Sequence, residues 1–96
     1  MRTFPEEPRV SEAVAKAELT WDRARDAWDA ITWAIVRDPK IGIVMTESGR
    51  TRMVVLDGAR SIGLPTVRLI YEIGNPEITL HEAIFEESKF SQSGHA

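Results

Sequence analysis

Eight apolar residues, Val10, Val14, Ala17, Trp21, Ala24, Trp28, Ile31 and Ile35, recur at alternating spacings of four and three. That rhythm winds one apolar stripe along a helix, so the first part of the chain is expected to be helical with a single covered face. Asp38-Pro39 ends the pattern, because proline disfavours helical geometry in the residue before it. Two arrangements satisfy the stripe. One unbroken helix of about 26 residues would run roughly 39 Å at 1.5 Å per residue, which is long for 96 residues in all. The alternative is a helical hairpin, with a short helix near 11–19 capped by Ser11 and a longer one near 21–37 capped by Thr20. The hairpin is the expected arrangement. Trp33 lies off the stripe, at its edge, and Trp21 and Trp28 read as core. Ahead of the stripe, residues 1–9 hold two prolines and four charges, the composition of an extended arm.

Beyond Pro39 the period changes from helical to two. Ile41–Met45 is a short apolar run, followed by the turn Glu47-Ser48-Gly49-Arg50. Arg52–Leu56 is apolar and β-branched, and Asp57-Gly58 stops it. Residues 58–65 form a loop with two glycines and Pro65. Val67–Ile73 alternates cleanly, with Val67, Leu69, Tyr71 and Ile73 on one side and Arg68, Ile70 and Glu72 on the other. After the turn Gly74-Asn75-Pro76-Glu77 comes Ile78–Phe85, where simple alternation puts Ile78, Leu80 and Ile84 opposite Thr79, His81, Ala83 and Phe85. The expected fold is therefore α+β, a helical hairpin packed on a three- to four-stranded antiparallel sheet. It occupies residues 10–86, between the arm at 1–9 and a flexible tail at 87–96.

Composition narrows the function. The chain is 43% apolar and 28% charged, an ordinary globular balance. It has no cysteine, which excludes disulfides and thiolate metal sites. The first residues carry no apolar run of a secretory signal. No stretch approaches the ~20 apolar residues of a membrane span. The expected compartment is the cytoplasm, with no membrane association. Net charge is −3, and the only local basic excess is in residues 41–75, from Arg50, Arg52, Arg60 and Arg68. A chain that draws its affinity from phosphates normally carries a basic surplus.

If the helices cover one sheet face, the other carries Arg68, Glu72, His81 and, by position, Arg52. An arginine, a carboxylate and a histidine together can bind a phosphate and move a proton. The same residues equally describe a solvated face laced with cross-strand ion pairs, and both readings stand. His81 and His95 do not make a metal site, and no cofactor motif is present; no Gly-rich phosphate cradle occurs around Gly58 and Gly63.

From Trp28 to Phe85 the chain resembles the RelE/ParE superfamily of bacterial toxins from toxin–antitoxin pairs. The matching parts are a helix ending in Ala34-Ile35-Val36-Arg37-Asp38-Pro39-Lys40-Ile41-Gly42 and the strand Val67–Ile73 with its outward Arg68. A tight turn and Glu77-Ile78-Thr79-Leu80 then follow. The resemblance implies helices followed by an antiparallel sheet, and a toxin neutralised by a cognate antitoxin protein. In the ribonuclease branch it implies messenger RNA on the ribosome as target, with Arg68 and His81 as catalytic candidates and Arg50 and Arg52 as RNA-binding candidates. In the other branch the target is DNA gyrase. The chain departs from the ribonuclease pattern at Phe85-Glu86-Glu87-Ser88, where carboxylates stand in place of the expected cations and would repel phosphates. A non-toxic protein-binding module of the same fold is the alternative.

Overall fold

In the computed structural model, which describes residues 5–74 and 77–88, two helices precede four strands: α1 (Pro8–Thr20), α2 (Ala24–Arg37), β1 (Ile43–Val44), β2 (Thr51–Leu56), β3 (Thr66–Ile73) and β4 (Ile78–Glu86). The strands form one antiparallel sheet in the order β1-β2-β3-β4. The expected α+β architecture is thus present, with four strands and two separate helices. α1 lies over β4, and α2 lies over β3 and β2.

The stripe is the core. Val10, Val14, Ala27, Trp28, Ile31 and Ile35 bury against Val67, Leu69, Tyr71, Ile78 and Leu80. Trp28 meets Phe85 at 6.1 Å between ring centroids, tilted by 42°. Trp33, off the stripe, is 60% exposed.

Helix boundaries differ from expectation at both caps. α1 begins at Pro8, with Glu7 rather than Ser11 at the cap position. Proline suits the first helical turn because its missing N–H would have no intrahelical acceptor there. Thr20 does not cap α2; its hydroxyl donates back to the Lys16 carbonyl at 3.1 Å. The break falls instead at Trp21-Asp22-Arg23, where Trp21 is extended (φ −122°, ψ 134°). There the Arg23 amide donates to the Gly63 carbonyl at 3.1 Å. A partner 40 positions away in sequence, outside any local window, fixes the start of the second helix.

Ahead of α1, residues 5–7 of the arm are extended and tied to the sheet, while residues 1–4 lie outside the described residues. Leu80 donates its amide to Pro5 O at 3.0 Å and accepts from Glu7 N at 3.2 Å, giving a parallel bridge from Glu6 to Leu80 along the outer edge of β4. The prolines do not prevent this, since Pro5 contributes only its carbonyl. At the other end the chain stays docked beyond Glu87. Ser88 is 1% exposed and donates to Gly58 O at 2.9 Å. The rest of the tail, His95 and the central turn residues 75 and 76 lie outside the described residues.

β4 departs from simple alternation. Opposite β3, Leu80 pairs with Tyr71 and Glu82 with Ile70, so His81 is an extra residue in a β-bulge. A bulge shifts the inside–outside phase of the strand by one. Ala83 is therefore buried at 7% and Phe85 packs on the core, whereas Ile84, expected beside Ile78 and Leu80, is 39% exposed on the outward face.

Candidate functional site

The helices leave one sheet face uncovered, and register assigns its residues. Val55 pairs with Arg68 and Arg68 with Ile84; Ile43 pairs with Met53, Met53 with Ile70 and Ile70 with Glu82. Partners directly across a ladder project from the same face. Outward Arg68 and Ile70 therefore share their face with Ile43, Met53, Val55, Glu82 and Ile84. Ile43 is 66% exposed and Val55 42%.

Of the residues named from sequence, Arg68, Glu72 and His81 stand on this face, but no direct contact joins Arg68 to the other two among the described residues. Arg68 Nη2 pairs with Glu86 Oε1 at 3.0 Å, a partner two residues along β4 from Ile84. His81 presents its two ring nitrogens to different carboxylates, Nε2 to Glu72 Oε1 at 2.9 Å and Nδ1 to Glu7 Oε1 at 3.1 Å. Those carboxylates come from β3 and from the arm. They hold the imidazole pKa above its ordinary value, Glu72 foremost, against the opposing effect of partial burial. Because they sit on opposite edges of the ring, they cannot converge on one metal ion. Among the described residues no group of three or more His, Asp and Glu side chains is arranged to hold one.

Arg52, expected with Arg68, is on the other face. It pairs across the ladder with buried Tyr71, and its guanidinium donates to the carbonyls of Gly49 (3.1 Å), Lys40 (3.0 Å) and Gly42 (3.0 Å). The Tyr71 hydroxyl donates to Pro39 O at 2.6 Å and accepts from Gly42 N at 3.1 Å. Burial raises the Tyr71 pKa above its usual value, keeping the phenol neutral. Together the two side chains stitch the loop after α2 to the sheet. A Cβ on Gly42 would come within 2.8 Å of Met53 O and 2.9 Å of the Tyr71 hydroxyl oxygen, so this position admits only glycine without a shift. The Asp38–Gly42 segment thus has a structural role. Arg50 is exposed, and its side chain makes no ion pair among the described residues.

The two carboxylates at the end of β4, Glu86 and Glu87, are both engaged. Glu86 holds Arg68, while Glu87 accepts from Trp21 Nε1 at 3.1 Å and lies 3.5 Å from Arg60 Nε. Sequence reasoning missed the apolar character of the outward face. Its signal was present in β2, where Met53, Val54, Val55 and Leu56 are all apolar. A strand with one solvated face alternates; β2 does not.

No helix among the described residues is long and apolar enough to cross a membrane. Comparison of the chain with known protein families, curated proteins and solved structures finds no match.

Proposed function

We propose that this domain binds another protein through the outward face of its sheet. The observation that carries this reading is the apolar surface built by Ile43, Met53, Val55, Ile70 and Ile84 on a face that none of the described elements covers. Contiguous exposed apolar surface on a small domain marks interaction sites, because water contact there is unfavourable. The polar groups nearby support binding more than catalysis. A ribonuclease needs a free cation for the phosphate and a proton carrier beside it. Here Arg68 is answered by Glu86, His81 by two carboxylates and Arg52 by backbone carbonyls, which leaves Arg50 as the one candidate cation whose side chain is unpaired among the described residues.

A second reading, a toxin neutralised by an antitoxin, is favoured by the order of elements and by an arginine on the outward face of β3. One experiment separates the two. Inducing the chain in a bacterium, with translation and DNA supercoiling followed separately, is expected to leave both unchanged; arrest of either would establish the toxin reading. Arg68→Ala is the companion test. The pair is about half exposed on both sides, so its loss is expected to cost under ~1 kcal/mol in chemical denaturation. Messenger cleavage in a purified translation system, abolished by the same substitution, would contradict the binding-module reading.

A further inference from the structure

The charges around the apolar surface define what covers it. Three carboxylates project with it, those of Glu72, Glu82 and Glu86, against the guanidinium of Arg68 and the imidazole of His81. Arg68 is paired with Glu86, and Glu72 is shared with His81. Glu82, directly across the ladder from Ile70, makes no ion pair among the described residues. Among the described residues Glu82 is thus the carboxylate of this face left without an ion pair, and it stands on the β4 side beside an apolar floor. Arg52, the other cation carried by these strands, is turned to the opposite face.

Resting on the protein-binding reading above, we infer that the occupant is a basic amphipathic helix of another protein. Its apolar stripe would lie on Met53, Val55, Ile70 and Ile84, and a lysine or arginine would meet Glu82. Size fits this occupant. Strands spaced ~4.8 Å apart make a four-stranded face about 14 Å wide, and a helix with its side chains is ~10–12 Å across. One helix covers the face and completes a third layer, as α1 and α2 complete the second. A cation facing a carboxylate supplies orientation and partner choice, while the apolar contact supplies most of the affinity.

The test uses the full chain, isotopically labelled, and two synthetic helices of about eighteen residues. One has leucines on one face and lysines on the other; its twin replaces every lysine by glutamate. The lysine helix is expected to shift the amide resonances of Met53, Val55, Ile70 and Ile84, and to bind at least roughly tenfold more tightly than its twin. Glu82→Lys, checked for an unchanged melting temperature, is expected to erase that preference. Equal binding of both helices on this face would overturn the basic partner and leave the binding surface standing. Shifts confined to the α1–α2 side, or none at millimolar peptide, would overturn both. Protein-concentration-dependent shifts on this face without peptide would show that a second copy is the occupant, and would likewise overturn the inference.

Discussion

Tyr71 buries its ring completely and ends in a hydroxyl that satisfies one loop carbonyl and one loop amide, at Pro39 and Gly42. Removing that oxygen leaves two backbone groups to find water or go unpaired. Tyr71→Phe is therefore expected to lower the unfolding free energy by about 1–3 kcal/mol in urea titration; an unchanged midpoint would mean that the loop carries its own hydrogen bonds. His81 titrates with the fold. A neutral imidazole has one N–H and can donate to only one of Glu72 and Glu7, whereas the imidazolium donates to both. Its folded pKa is raised, so folding takes up a proton. The resulting stabilisation is fully present below the unfolded value of ~6.5 and is lost as pH rises through the folded value. The stability gap between the parent and His81→Gln should accordingly be larger at about pH 5.5 than at about pH 8.5. A gap that grows with pH would refute the paired-carboxylate geometry. Sequence reasoning placed Arg68, Glu72 and His81 on the outward face by strand alternation alone. It misplaced Arg52, because in-register pairing with Tyr71 is a property of two strands and not of one.

At the scale of elements, the stripe of fours and threes located both helices and nearly every buried helical residue, since a 3.6-residue period is a local property of the chain. Where the stripe breaks was not legible. The same spacing continues through Trp21 and Ala24 although the helix does not, and the break is tied to Gly63 O, far along the sequence. β4 shows the same limit: one extra residue at His81 reversed the phase of Ala83, Ile84 and Phe85, and a bulge requires the partner strand to be seen. Trp28 is the sharpest check on helix register. It is 5% exposed between α2 and the sheet, and Trp28→Ala is expected to cost about 3–5 kcal/mol, measured by thermal or denaturant unfolding. A variant melting within a few degrees of the parent would mean that α2 is rotated from its described position.

For the whole molecule, two layers bury one face of the sheet and leave the other to its surroundings. The buried face carries the stability; if the outward face binds a partner as proposed, changes on the two should separate. Exposed side chains away from cores and caps usually alter stability by no more than ~0.5 kcal/mol, and this applies to Val55 and Ile84, which are 42% and 39% exposed. The most direct measurement places a photoactivatable cross-linking side chain at Val55 or Ile84 in the full chain, inside cells that normally express it. Asp29, exposed on the far side of α2, is the control position. The expected result is a discrete protein adduct from Val55 and Ile84, identified by mass spectrometry, absent from Asp29, and lost when Met53→Lys is added to a still-folded chain. Adducts equally abundant from Asp29, or none from the sheet face at any expression level, would contradict the assignment of that face as the binding surface.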